Sequence, residues 1–156
     1  MPHGDRVDTK SLIDAVDPDE LTVEAPTLIA WKLGMVNDME GVAQFMYRGG
    51  PFSPQASTRR PPIEDKRPDK RYWEFVKEEM GVFLCKDDKR YRELWKRIAT
   101  LEKKSTTALV GVIAAFLGQV IGAPATLLAG FVAVCLYAVA KLGKEAYCRY
   151  VNQGEA

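Results

Sequence analysis

Ser105-Thr-Thr-Ala-Leu-Val-Gly-Val-Ile-Ala-Ala-Phe-Leu-Gly-Gln-Val-Ile-Gly-Ala-Pro-Ala-Thr-Leu-Leu-Ala-Gly-Phe-Val-Ala-Val-Cys-Leu-Tyr-Ala-Val-Ala140 contains no charged side chain. The run is longer than one membrane crossing requires, and Gly122-Ala123-Pro124 interrupts it near its middle. As a helix, Ser105 to Gly122 spans about 27 Å, and Ala125 to Leu142 also about 27 Å. The hydrocarbon core of a bilayer is about 30 Å thick. Two apolar helices folded back as a transmembrane hairpin over residues 105–143 are therefore predicted. The glycine and proline form the turn, and proline suits the start of the second helix.

The flanks set an orientation. Lys96, Arg97, Lys103 and Lys104 precede the run, and Lys141 and Lys144 follow it. Positive charge beside membrane segments stays cytoplasmic, so both termini are expected in the cytoplasm. The six basic residues are then expected at the membrane interface, where long side chains reach out to the head groups. No apolar leader follows the first residues, so insertion is expected to use the hairpin itself.

Small residues recur along the run. Ala108, Gly111, Ala115, Gly118 and Gly122 mark one stripe, and Ala129, Ala133 and Ala140 belong to a second. In lipid, helices associate through close backbone approach rather than hydrophobic drive. The stripes therefore serve either to close one hairpin or as a seam between copies in a homo-oligomer. Gln119 is the one strongly polar side chain inside the run, and an interhelical hydrogen bond is its expected use. The competing account is a soluble fold in which other helices shield the hairpin. The remaining length looks thin for such a sheath in a monomer, leaving an oligomer with the hairpins clustered at its centre.

Outside the hairpin the pattern is helical, and the whole chain reads as all-α. Residues 1–48 carry nine acidic and four basic side chains, a net of −5, while residues 49–156 carry twelve and eighteen, a net of +6. The acidic helical region 1–48 is thus a candidate surface for a cytoplasmic protein partner or for the basic half. Asp17-Pro18 reads as an N-cap followed by the first helical residue. Pro26 to Arg48 reads as one helix with Leu28, Trp31, Met35, Met39, Val42 and Met46 on its apolar face. Residues 49–71 hold five prolines among six basic residues and read as an extended linker. Nucleic-acid binding is not expected of it, because aromatic interleaving is missing beyond Phe52.

In residues 72–104 a short helix from Tyr72 to Met80, stopped by Gly81, leads through a Val82-Phe83-Leu84 link. A basic amphipathic stalk follows, bearing Tyr91, Leu94, Trp95, Ile98 and Leu101. With no proline or glycine between Lys89 and Ser105, stalk and first hairpin helix are expected to be one continuous helix from Lys89 to Ile121. Residues 144–156 read as a cytoplasmic tail.

Chemistry is not indicated. His3, the sole histidine, sits near the N-terminus, and no phosphate loop, nucleophile elbow or metal-ligand spacing is present. Glu78 and Glu79 are adjacent, so on a helix they face different ways. Cys85, Cys135 and Cys148 are odd in number and imply no disulfide framework, in keeping with a reducing compartment. Neither an enzyme nor a cofactor is expected. The functional expectation is a small two-pass membrane protein that self-associates through its hairpin and perturbs or permeabilises the lipid bilayer, under control of its cytoplasmic helices. The alternatives are a passive membrane anchor or adaptor that recruits a cytoplasmic partner, and the soluble oligomer described above.

Overall fold

A computed structural model describes residues 9–48 and 69–153. His3, most of the Pro/Arg-rich stretch 49–71 and the last three residues lie outside them. The described residues form helices α1 (Thr9–Ala15), α2 (Pro18–Glu24), α3 (Leu28–Lys32), α4 (Met39–Arg48), α5 (Lys70–Cys85), α6 (Arg92–Ala99), α7 (Thr106–Ile121), α8 (Ala125–Leu142) and α9 (Lys144–Gln153). A 3-10 turn, Lys89–Tyr91, leads into α6. The chain is all-α, as its periodicity predicts.

Helix α8 is the axis of the fold. It packs against α1, α2, α4, α5, α7 and α9, and every residue from Phe131 to Val139 is buried, as is Leu128. The surrounding helices are amphipathic and turn one side inward. Leu12 of α1, Leu21 of α2, Val42 of α4, and Trp73, Val76, Met80 and Phe83 of α5 are buried in the same core. Two aromatic pairs seat α8 on its neighbours. The Trp31 and Tyr137 rings lie 5.2 Å apart, and those of Trp73 and Phe131 5.5 Å apart.

Capping explains the short helices that bear this load. The Asp17 carboxylate accepts from the Asp19 N–H at 2.9 Å, with Pro18 in the first helical turn, as the sequence anticipates. Asp69 and Asp88 do the same for α5 and for the 3-10 turn. The backbone and guanidinium donors of Arg71 and Arg90, respectively, hold these two carboxyls below the usual carboxylate range.

Three expectations about continuity are corrected. Helix 26–48 is two helices, not one. Gly34 takes φ 81, a left-handed conformation that glycine adopts without steric penalty. The chain turns there, and Met35 leaves the apolar stripe for solvent. The helix expected to stop at Gly81 instead runs to Cys85, so Val82, Phe83 and Leu84 are helical. Packing on α8, α9 and α4 outweighs a helix penalty of about 1 kcal/mol for one glycine.

The third correction concerns the stalk. Helices α6 and α7 are separate, so the expected continuous helix from Lys89 to Ile121 does not form. Ser105 takes an extended conformation and its hydroxyl accepts from the Ala108 N–H at 3.1 Å, starting α7 afresh. Lys104 Nζ reaches back to the carbonyls of Ala99 and Leu101 at 3.4 and 3.3 Å, closing the end of α6. A serine cap does what no proline or glycine was present to do. The break lets α6 fold against α7 instead of extending from it. The rings of Phe83, Tyr91, Trp95 and Phe116 gather at this crossing, with Phe83 and Trp95 at 4.5 Å. Beneath them the buried Glu79 accepts from the Tyr91 hydroxyl. Burial and this bond push the Tyr91 phenol well above its ordinary pKa. Glu78 is exposed, so the adjacent carboxylates do face different ways.

Candidate functional site: a sheathed apolar helix and its clasp

The apolar run is the functional candidate. The turn between α7 and α8 forms where the sequence places it. Gly122 takes φ 77, and both its own N–H and that of Ala123 donate to the Gly118 carbonyl, at 2.7 and 2.9 Å. Pro124 then leads into α8. The two helices pack antiparallel along their length. One of them, α8, is long and apolar enough to cross a membrane, while the apolar α7 is shorter, at 16 residues.

The two helices are not treated alike. Helix α7 presents Leu109, Val110, Ile113, Ala114 and Leu117 to the core. Its opposite face carries Thr107, Gly111, Ala115 and Gln119, one helical turn apart, and all four are exposed. The bulky residues of α7 mostly point inward and this outer face is small or polar, although Val120 near the end of the helix is exposed and Ala114 is buried. A Cβ added at Gly111 would meet nothing within 4 Å. Gly111 and Ala115 therefore take no part in closing the hairpin, and Ala108 is half-buried at the edge of the same face.

The other stripe residues scatter. Gly118 is buried against the turn, where an added Cβ would stand 2.4 Å from the Ala123 carbonyl oxygen. Gly122 is the exposed turn residue itself. On α8, Ala133 is buried, and Ala129 and Ala140 are half-buried. Gln119 is exposed on the outer face of α7, turned away from α8, so the interhelical hydrogen bond expected of it within the hairpin does not form. Lys103, Lys104, Lys141 and Lys144 flank the open end of the hairpin, but the break before Ser105 folds α6 back on α7 and carries Arg97 to the side of Phe116, away from the expected interface position. Lys96, Lys103, Lys104, Lys141 and Lys144 are exposed. The Lys141 ammonium lies 5.8 Å from the Trp31 ring centre, and the Arg97 guanidinium 5.7 Å from that of Phe116.

Polar contacts tie the sheath to the hairpin. The Asp17 N–H donates to the Thr106 hydroxyl at 2.9 Å, and the Thr107 hydroxyl donates to Glu24 at 3.2 Å, fastening α2 to the start of α7. Glu40 of α4 accepts from Trp73 Nε1 at 3.1 Å and from the Lys77 ammonium, fastening α4 to α5. The Thr9 hydroxyl donates to the Leu84 carbonyl at 3.2 Å.

One tie is covalent, and the cysteine pattern did not anticipate it. Cys85, at the end of α5, is disulfide-bonded to Cys148 of α9, with Cα atoms 5.7 Å apart. This corrects the expectation that no disulfide is present. An odd count says only that one thiol is left over, and that thiol is the buried Cys135 of α8. The stretch expected to be a tail is mostly helix α9, packed on both α5 and α8. Tyr147, next to the bridge, is fully buried against α8. Its hydroxyl has no hydrogen-bond partner of nitrogen or oxygen among the described residues and faces the Cys135 thiol. Burial raises the Tyr147 phenol well above its ordinary pKa. A buried polar group without a full partner costs about 1–3 kcal/mol, so the seat of α9 carries a penalty. Tyr147, Cys148, Tyr150 and Val151 at spacings of 1, 2 and 1 were the available sign of an inward-facing helix.

Among the described residues no group of three or more His, Cys, Asp or Glu side chains could hold a metal ion. Compared with known protein families, curated proteins and solved structures, the chain matches none.

Proposed function

We propose that this chain is a membrane-active effector that carries its hairpin sheathed by its own helices and inserts it when the sheath parts. One observation carries the reading. Helix α8 is long and apolar enough to cross a membrane, yet short amphipathic helices enclose it. Those helices could turn their apolar faces to a bilayer surface once α8 leaves. In the inserted form α7 and α8 lie side by side with both chain ends on the cytoplasmic side, and Lys103, Lys104, Lys141 and Lys144 rest at the interface. Copies then associate through the outer face of α7, where Gly111 and Ala115 allow backbones to approach closely. The assembled hairpins perturb or permeabilise the membrane. The acidic region 1–48, which supplies α1 to α4 of the sheath, is where a protein partner would trigger release.

A second reading is favoured by the aromatic seats of α8. Trp31 on Tyr137 and Trp73 on Phe131 suit a helix that stays in place. On this reading α8 is a permanent core and the chain is an interaction protein.

Vesicle experiments separate them. Purified protein is mixed with dye-loaded phosphatidylcholine–phosphatidylglycerol vesicles and floated on a density gradient. Flotation with dye release supports the effector. Flotation that survives alkaline carbonate without dye release supports a passive anchor, and failure to float both with the Cys85–Cys148 bond intact and after its reduction supports the permanent core. In cells, induced expression with a membrane-potential dye should show depolarisation if the effector reading holds. Gly111→Leu should reduce both crosslinked oligomers and dye release; unchanged values would remove the seam from the proposal.

A further inference from the structure

We propose that the Cys85–Cys148 disulfide is a redox-operated clasp that keeps α9 closed over the middle of α8. The inference builds on the membrane reading only for what a released hairpin does next. The clasp itself stands on placement. The bond joins the two helices, α5 and α9, that pack on each other and both on α8. Both cysteines are half-buried, neither sealed in the core. Cys148 directly follows Tyr147, whose ring is wholly buried and reaches Cys135 on α8.

The seat of Tyr147 gives the clasp something to hold. Its hydroxyl lies buried beside a thiol, a poor hydrogen-bond partner, and that penalty is relieved when α9 lifts. Beyond Tyr147, α9 packs on α5 and α8 through Cys148, Tyr150 and Val151. Val151 touches the Gly81 region of α5, and the Tyr150 hydroxyl stands 3.5 Å from Asp38. Removing the cross-link leaves α9 held by one apolar face of a ten-residue helix, the kind of terminal element that opens locally.

The redox step balances simply. A dithiol reductant attacks one sulfur of the bridge as a thiolate, forming a mixed disulfide and releasing the other cysteine as a thiolate that takes up a proton. The second thiol of the reductant then displaces the remaining protein sulfur. Two electrons pass to the protein, Cys85 and Cys148 become thiols, and the reductant leaves as its cyclic disulfide. In an oxidising compartment the clasp is closed; in a reducing one it opens. α9 then lifts from α8 and uncovers the hairpin.

Cys135 is a built-in reporter, because it is the free cysteine and is covered by α9 in the closed form. The oxidised parent and the Cys85→Ser/Cys148→Ser variant each contain one free thiol, so their labelling by a maleimide compares directly. The variant should label at least about 10-fold faster, since an opening that the cross-link forbids becomes available. The parent, reduced with dithiothreitol, desalted without oxygen and labelled, should show the same acceleration at the Cys135 peptide by mass spectrometry. Reoxidation should reverse it. If the variant does not fold, as judged by circular dichroism, the reduced parent decides. Unchanged Cys135 labelling after verified reduction overturns the clasp, whether or not vesicles leak. Faster labelling without dye release from the same vesicles upholds the clasp and removes the membrane reading instead.

Discussion

Helices α7 and α8 share a composition and differ in surroundings. Both are uncharged along their apolar lengths, and a tight turn joins them. Yet α8 is enclosed on all sides through its middle, while α7 shows a complete face to the outside. The residues sort accordingly. Phe131, Val132, Val134, Leu136 and Val139 surround α8 in every direction, whereas α7 keeps its bulk inward and places Thr107, Gly111, Ala115 and Gln119 outward. Hydropathy alone would treat the two helices as equals. What separates them is the angular distribution of side-chain size, and size decides how closely another helix can come.

The sharpest way to break this comparison is a charge placed on each helix. Val134 is fully buried, and Val134→Asp would bury a carboxylate without a partner. It should destabilise the fold by about 4 kcal/mol or more, or prevent folding. Gly111→Asp points into open space and should leave thermal unfolding within about 1 kcal/mol of the parent, the range of an ordinary exposed helix substitution. The same Gly111→Asp should abolish dye release from vesicles, since the charge would have to enter lipid. Equal thermal effects at the two sites would show that α7 and α8 are not differently enclosed.

Aromatic truncations probe the same contrast at smaller scale. Trp73 is buried, stacks on Phe131 of α8 and donates to Glu40. Trp73→Ala should cost about 3–5 kcal/mol by chemical denaturation. Phe116 of α7 is only half-buried, and Phe116→Ala should cost clearly less. A larger loss at Phe116 would place the mechanical centre of the fold at the α6–α7 crossing rather than around α8.

Helix ends come next in size. Ser105→Ala removes the hydroxyl that starts α7 and should cost about 1 kcal/mol. If the α6–α7 break depends on this cap, residues 100–105 should also gain amide protection in hydrogen exchange as the two helices tend to merge. Unchanged protection there would assign the break to the Lys104 contacts with α6 instead.

What was legible in the sequence was whatever depends on a few neighbouring residues. The all-α class, the Asp17–Pro18 helix start and the Gly122–Pro124 turn needed only local rules. The breaks at Gly34 and Ser105 were also local, but glycine and serine are tolerated inside helices often enough that their presence does not announce an end. The sheath was not legible. Each sheathing helix is short, and its apolar face reads as any amphipathic face would. Nothing in the spacing of Leu21, Val42 or Val76 says that they meet around one helix. Surface-to-volume reasoning argued against a monomeric sheath because it treated both apolar helices as needing full cover. The structure covers α8 on all sides only through its middle, and α7 on one side. The disulfide was hidden for a related reason: Cys85 and Cys148 lie 63 residues apart, and only packing brings α9 back to α5.

The smallest expected effect is also the one that most sharpens the comparison, because its sign should reverse between two states. Gly111 lies within α7, and a Cβ there meets nothing within 4 Å. Glycine inside a helix is about 0.5–1 kcal/mol worse than alanine. Gly111→Ala should therefore raise the stability of the closed protein by about that amount, seen as a higher denaturation midpoint. Gly118→Ala offers the contrast within the same helix. There the new methyl would press on the Ala123 carbonyl, and a loss of about 1–3 kcal/mol is expected for such overpacking. In detergent or lipid, where copies of α7 are proposed to meet along the outer face, the Gly111 methyl would hold backbones apart and weaken association. A stabilised closed form with weaker oligomers identifies Gly111 as serving the assembled state rather than the sheathed one. A midpoint that rises with no change in association leaves Gly111 as a helix defect without a use in self-assembly, and the small-residue face of α7 would then lose its role as a seam.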